Sequence, residues 1–431
     1  MTSAPIAVPC GRRVSGRLRP PSSKSVTHRL ALLAFSARRE TVIERPLDAV
    51  DTRLLAAALR ALGARSSWEG DRLVVAPDRR PPGEPRIECG NAGTLFRLLT
   101  GTLAATTGRF LLDGSARLRE RPIAPLVDGL RALGAAIEYV GEPDRAPLMI
   151  EGGRLAGRAR LDAGASSQFL SALLLAGVAA AGPIEIEVER LVSAPYVRVT
   201  RQCVEMCGGR IEVSGRLYRV QPGLDPPARL EVEADYSAAA YPAAAAVVSG
   251  GEVRLAGLRR DSPQGDAAFL DLLAAMGAEV ARTGDEVAVA AGRPLVAVEA
   301  DLGEMPDQVP TLAALAPFAR GTTVISGVPH LRFKESDRLG VMARELDRLG
   351  AVVEERDDGL VIEGSWAEAE PPAEPVVADP HDDHRVAMSL ALVGLRRPGV
   401  SIGTPEVVEK SYPAFWDDLA GLLGDRGWRR R

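Results

Sequence analysis

The chain has 431 residues, 46% hydrophobic and 26% charged, with a formal net charge of −4 at pH 7. This length calls for two or three domains with sizeable cores, and the charge balance argues against a general nucleic-acid binder or a ligand of anionic membranes. The longest apolar run, Phe169–Gly182, is shorter than the ~20 residues of a membrane span, and "MTSAPIAVPCGRRVSG" lacks an apolar signal core, so a cytoplasmic protein is expected.

A helix closed by glycine recurs six times along the chain, at a spacing of about 70 residues. It ends at Gly63 and Gly134 in "LRALGA", Gly208 in "VEMCGG", Gly277 in "LAAMGA", Gly350 in "LDRLGA" and Gly424 in "AGLLGD". Each copy has the apolar spacing of an amphipathic helix with a C-terminal glycine. A second, Ala-rich helix runs in phase, starting near Ser25, Asn91, Ser166, Asp235, Asp307 and Asp382. Just before these starts lie short strand-like runs such as "RIECG", "RARLDA", "RLEVEA" and "PVVAD". The last copy lacks its closing strands, and the N-terminal "IAVPCGRRVSGRLRPP" is the natural supplier. Residues 1–20 with 232–431 are therefore expected to form one domain and 21–231 the other, with three repeats each and crossings near 20 and 232.

The first turns of the Ala-rich helices are strongly polar: "SSKSVTHR", "GNAGTLFR", "GASSQF", "ADYSAA", "MPDQVP" and "PHDDHR". Ser, Asn and Asp there serve as N-caps. That role does not account for Lys24, Arg29, Arg97, Gln168, His384 or Arg385. A cation at a helix N-terminus opposes the macrodipole unless an anion sits between them. Convergence of the six ends would create a site for a ligand with several negative charges.

Lysine use points to the same places. Of 53 basic residues only three are lysines, Lys24, Lys334 and Lys410, each in or beside a polar block: "SSKSVTHR", "RFKESDRLG" or "VVEKSYPAF". A chain this rich in arginine keeps lysine where a compact ammonium is needed. All four histidines (His28, His330, His381, His384) lie in or beside such blocks, and "GSARLRERPI" adds Arg117, Arg119 and Arg121. Lys24 does not belong to a nucleotide phosphate loop, because no glycine lies between Gly16 and Lys24. The four cysteines (Cys10, Cys89, Cys203, Cys207) form neither a disulfide framework nor a zinc site and read as reduced, mostly buried residues.

The blocks "SSKSVTHR", "GNAGT", "RLRERPI", "SSQFLSALL", "PYVRVT", "RFKESDRL", "DDHRVAMSLA" and "EKSYPAFW", in that order, resemble the enolpyruvyl transferases, specifically the branch acting on shikimate 3-phosphate. The resemblance covers nearly the whole chain. It implies an α/β (α+β) fold, a two-domain inside-out barrel of six βαβαββ-type repeats around buried parallel helices. It implies transfer of the enolpyruvyl group of phosphoenolpyruvate to the 5-hydroxyl of shikimate 3-phosphate in the shikimate pathway, through a tetrahedral ketal phosphate, in a cleft between domains that close. Lys24, Ser25, Arg29, Ser166, Ser167, Gln168, Ser193, Tyr196, Asp307, His330 and Lys334 would then contact shikimate 3-phosphate. Lys24, Gly93, Arg117, Gln168, Arg338, Arg385 and Lys410 would hold phosphoenolpyruvate. Asp307 matches the family's proton acceptor and Glu335 its proton donor, with Lys24 the third catalytic group. No metal or cofactor, no nucleic-acid partner and a monomer are implied.

The chain departs from the family in three places. Pro21-Ser22-Ser23-Lys24-Ser25 stands where Pro-Gly-Ser-Lys-Ser is usual, Leu98 where proline is common, and His330 where asparagine is frequent. Gly93 fits the glyphosate-sensitive pattern and Leu98 departs from it, which leaves sensitivity open. The sister enzyme acting on UDP-N-acetylglucosamine carries a reactive cysteine before its counterpart of Arg117, and residues 90–202 hold none. RNA 3′-phosphate cyclisation would need a basic track. A non-catalytic anion-binding paralogue would be expected to lack Asp307, Glu335 or a lysine.

Overall fold

A computed structural model describes residues 4–37, 39–76, 83–366, 374–425, 427 and 428. The chain divides into two units, Ser22–Glu233 and Met1–Pro21 with Ala234–Arg431, each enclosing its own hydrophobic core. The Ser22–Glu233 unit carries α1 (Lys24–Ser36), α2 (Val50–Ala61), α3 (Gly93–Ala104), the single turn α4 (Ala116–Arg119), α5 (Ala124–Ala132), α6 (Gln168–Val178) and α7 (Ala194–Met206). The other unit carries α8 (Tyr236–Ser249), α9 (Phe269–Ala275), α10 (Val309–Leu315), α11 (Arg338–Arg348), α12 (His384–Gly394) and α13 (Phe415–Leu422).

Six of these helices are enclosed: α1, α3 and α6 in one unit, α8, α10 and α12 in the other. In α8, "YSAAAYPAAAAVVS", every residue except Ser249 is buried. A helix with no polar face can exist only inside a core. Its start is fixed by Asp235, whose carboxylate accepts from the Ala238 amide at 3.0 Å. By contrast α2, α5, α7, α9, α11 and α13 each bury one face. All six end at the glycines marked by the repeat, which adopt positive φ.

Among the described residues each unit holds three small sheets. In four repeats a strand, its enclosed helix and the next strand form a parallel pair: Arg86–Glu88 with Gly108–Asp113, Gly157–Ala163 with Ile184–Leu191, Glu299–Asp301 with Thr322–Ser326, and Val376–Ala378 with Val400–Ile402. In the other two repeats the strands are exchanged, contrary to the simple reading of one run before each helix. Arg229–Glu231, which precedes α8, pairs with Thr41–Glu44 after α1. Ser15–Leu18, which precedes α1, pairs with Glu252–Ala256 after α8. The backbone that links strand to helix is tied down on each side: the Ser23 amide donates to the Glu233 carbonyl at 2.8 Å, and the Asp235 amide to the Pro21 carbonyl at 2.9 Å. Ile6–Ala7 pairs antiparallel with Val400–Ile402, supplying the strand that the last repeat lacks.

The enclosed helices approach closely. A Cβ on Gly101 of α3 would lie 2.3 Å from the Ala172 carbonyl oxygen of α6, so only glycine fits there. Gly101→Ala is expected to force these backbones apart and destabilise the protein by about 1–3 kcal/mol. The check is the urea midpoint, and an unchanged midpoint would show that the contact does not constrain the pair.

Candidate active site

In the Ser22–Glu233 unit, the polar ends of α1, α3 and α6 are knit together. Ser23 caps α1, accepting from the Val26 amide at 3.4 Å. Lys24 is 9% exposed, and its ammonium donates to Asp51 Oδ2 at 3.3 Å. Asp51 lies in the first turn of α2 and is 2% exposed, so Lys24 is held by a carboxylate that is itself fixed in the core. Nothing in the sequence marks Asp51, since an acidic residue in a helix's first turn is ordinary.

Arg29, one turn further along α1, is 1% exposed. Its Nε donates to Thr200 Oγ1 at 2.7 Å and its Nη1 to the half-buried Ser25's carbonyl at 2.9 Å. Nη2 donates to Ser171 Oγ at 3.3 Å and to the Tyr196 carbonyl at 3.2 Å. Among the described residues none of these partners is a carboxylate. Burial in a neutral surround lowers the pKa of Arg29 from its usual value. A buried cation without a counterion is costly, and an anion beside it would relieve that cost.

α3 and α6 are bridged by Gln168, whose side-chain oxygen accepts from Arg97 Nη1 at 2.8 Å and whose amide donates to Thr94 Oγ1 at 3.0 Å. Arg97 also donates to the Pro122 carbonyl at 3.1 Å and lies over the Phe169 ring. Ser166 and Ser167 are buried at the start of α6, where the Ser166 hydroxyl accepts from the Gln168 amide at 3.3 Å. Ser193, before α7, adopts a left-handed backbone with φ 50°, and its carbonyl accepts from the Tyr196 amide at 3.2 Å.

The arginine brought to Gly93 is Arg121, not the expected Arg117. A Cβ on Gly93 would lie 2.5 Å from the Arg121 guanidinium, which is buried at 5% exposure. Arg117 forms an ion pair with Glu120 at 2.8 Å on a more exposed turn, and Arg119 pairs with Asp113 at 2.7 Å. The physical reason is helical phase: Leu118 is the buried residue of α4, which turns its neighbours outward, whereas Arg121 follows the turn.

In the other unit, one guanidinium organises the site. Arg338, at the start of α11, is 1% exposed and donates to three carboxylates. Nη1 reaches Asp307 Oδ1 at 2.8 Å, Nη2 reaches Glu335 Oε2 at 2.9 Å, and Nε reaches Asp383 Oδ2 at 2.8 Å. Burial opposes the charge on Arg338, but Asp383, Glu335 and Asp307 more than offset this and raise its pKa. Arg385 of α12 donates to Asp307 Oδ2 at 2.6 Å and to the Tyr241 hydroxyl at 3.4 Å. Asp383 caps α12 through the Arg385 amide at 2.9 Å.

Burial alone would raise the pKa of Asp307, yet Arg385, Arg338 and Lys334 hold it well below the carboxylate range, against the charge of Glu335. His330 is buried, and desolvation together with Lys334 and Arg338 lowers its pKa to about 4. Lys334 is thus grouped with Asp307 and His330 by charge. Lys410 closes the segment Pro405–Lys410, which packs against α12. Proton-accepting and proton-donating carboxyls beside crowded cations can perform acid–base chemistry on an anion.

The family model of EPSP synthase (3-phosphoshikimate 1-carboxyvinyltransferase) matches residues 8–419. A 3-phosphoshikimate 1-carboxyvinyltransferase of Methanoculleus marisnigri is 42% identical, over 93% of this chain and 95% of its own length. One from Syntrophobacter fumaroxidans is 43% identical, over 95% and 97%. A solved EPSP synthase from Acinetobacter baumannii superimposes with a TM-score of 0.78 at 27% identity, covering 96% of this chain and 97% of that one.

His28 is fully buried, and its Nδ1 donates to the Lys24 carbonyl at 2.9 Å. Desolvation lowers its pKa to about 4. Because the unfolded chain takes up this proton at higher pH, stability should fall as pH drops from about 6.5 towards 4, by about 3 kcal/mol for this group. Thermal midpoints across that range should fall less steeply in His28→Asn. Parallel curves for the two proteins would refute the assignment.

Proposed function

The chain belongs to the EPSP synthase family, and on that premise we propose that it transfers the enolpyruvyl group of phosphoenolpyruvate to the 5-hydroxyl of shikimate 3-phosphate, releasing phosphate. It is a transferase of aromatic amino acid biosynthesis. Among the described residues no helix is long and apolar enough to cross a membrane. The reading places the enzyme in the cytoplasm as a monomer.

The observation that carries the reading is the clamp of Arg338 on Asp307 and Glu335, which sets two carboxyl groups against one guanidinium, 2.8 and 2.9 Å away. Asp307, held ionised by its cations, is suited to take the proton of the attacking hydroxyl as its oxygen bonds to C2 of phosphoenolpyruvate. Glu335 delivers a proton to the methylene carbon, giving the tetrahedral ketal phosphate. Elimination returns a methyl proton to Glu335 as the C–O bond to phosphate breaks. An arriving phosphoenolpyruvate anion would compete for Arg338, loosen its pair with Glu335 and make that carboxyl easier to protonate.

Lys24, Ser25, Arg29, Ser166, Ser167, Gln168, Ser193, Tyr196, Asp307, His330 and Lys334 serve shikimate 3-phosphate in this reading. Lys24, Gly93, Gln168, Arg338, Arg385 and Lys410 serve phosphoenolpyruvate, with Arg121 in the role that the sequence offered to Arg117. The uncompensated charge of Arg29 and the buried guanidinium at Gly93 support anion binding in the Ser22–Glu233 unit.

Purified protein should release phosphate only when both substrates are supplied. No turnover with that pair, or turnover with UDP-N-acetylglucosamine in place of shikimate 3-phosphate, refutes the assignment. Lys24→Arg should lower kcat/KM by about a hundredfold or more with an unchanged circular dichroism spectrum, because a planar guanidinium cannot replace the ammonium held by Asp51. Arg121→Lys should raise KM for phosphoenolpyruvate by about tenfold or more, whereas Arg117→Lys should stay within about twofold. The opposite order would return the role to Arg117.

A further inference from the structure

The reaction does not use the carboxyl group of Asp266. Asp266, in the turn Gly265–Ala268, is 3% exposed. Ser237, in the first turn of α8, donates its hydroxyl to Asp266 Oδ2. Gln264 pins the same turn to the helix: its amide donates to the Ala234 carbonyl at 2.9 Å, and its side-chain oxygen accepts from the Tyr236 amide at 3.0 Å. Asp266 is therefore fixed against the N-terminal end of α8 by its own bond and by those of Gln264 just before the turn. Ser237 and Tyr241 lie four residues apart on one face of α8, and Arg385 of α12 reaches the Tyr241 hydroxyl at 3.4 Å, so Asp266 and Arg385 meet that face one turn apart. The charges acting on Asp266 are those of Asp235 at the cap of α8, of Asp307 in Pro306–Gln308 and of Arg385. The last two are the pair joined at 2.6 Å.

We propose that Asp266 is a positioning residue for the Asp307–Arg385 pair, its negative charge opposing the pull of Arg385 on Asp307 and so making Asp307 a stronger proton acceptor. The inference rests on the reading of Asp307 as the base. Arg338, Arg385 and Lys334 keep Asp307 ionised and able to accept a proton, but they also make it a weaker base than an ordinary carboxylate. A second anion behind the pair restores part of that basicity. Burial, with the charges of Asp307 and Asp235, pushes the pKa of Asp266 up to about 6, while Arg385 and the Ser237 hydroxyl oppose the rise. The restoring charge is therefore present above about pH 6 and lost below it, so kcat should rise with pH through that range.

The test is kcat at saturating substrates between pH 5 and 8.5 for wild type, Asp266→Asn and Ser237→Ala. Asp266→Asn lacks the charge at every pH, so the wild-type rate should exceed it about tenfold at pH 8 and match it within about twofold at pH 5. KM for shikimate 3-phosphate should change little, and Asp266→Glu should recover part of the rate. Ser237→Ala removes a donor to the ionised form and should move the midpoint of the rise to higher pH. A wild-type to Asp266→Asn ratio that is constant with pH, including a ratio of one, overturns the proposal. If Asp266→Asn fails to fold, Ser237→Ala decides: an unshifted midpoint overturns the proposal and an upward shift supports it. Absence of turnover by the wild type would instead mean that the functional reading itself has failed.

Discussion

A helix that is apolar on every side must be enclosed, and each unit of this protein is built by enclosing three of them. That constraint dictates where polarity can occur. Along α8 and α12 there is no solvent face to hold a charge, so charged and hydrogen-bonding groups collect at the helix starts. Free backbone amides are found at the same ends. Contacts such as Gly101 against Ala172 then hold α3 and α6 together tightly enough to place Arg97 and Gln168 within 2.8 Å.

The two units treat a buried guanidinium in opposite ways. Arg338 is neutralised by Asp307, Glu335 and Asp383, a cluster that carries its own counterions. Among the described residues, Arg29 is held only by neutral oxygens from Ser25, Ser171, Tyr196 and Thr200. Removing an ion from water costs several kcal/mol even after relaxation. The first arrangement meets that cost within the fold and arms two carboxyl groups for proton transfer. The second leaves a positive potential suited to a phosphate or carboxylate. Binding and acid–base work are thus separated by the kind of partner each arginine receives.

Much of the site could be read in the sequence because the enclosed helices admit so few polar residues. Lys24, Arg385 and Gln168 stood out against apolar surroundings, and the glycine-closed helices supplied a ruler for the repeat. Where several similar residues share one short loop, that contrast disappears. Nothing in "RLRER" distinguishes Arg121 from Arg117 until the turn of α4 is known. Asp51 and Asp266 resembled ordinary residues of a first turn, and their importance lies in which distant group they face.

The sequence by itself determined the six-fold repeat, the enclosed helices and the polar character of their starts, because periodicity and the exclusion of charge from a core are local consequences of residue type. Only the tertiary structure decided the exchange of Ser15–Leu18 and Arg229–Glu231 between sheets, the choice of Arg121 at Gly93, and the pairing of Lys24 with Asp51. Those outcomes depend on contacts between residues tens to hundreds of positions apart. Hydrogen-bond reach and burial select such partners in three dimensions, and neither is encoded in the spacing along the chain.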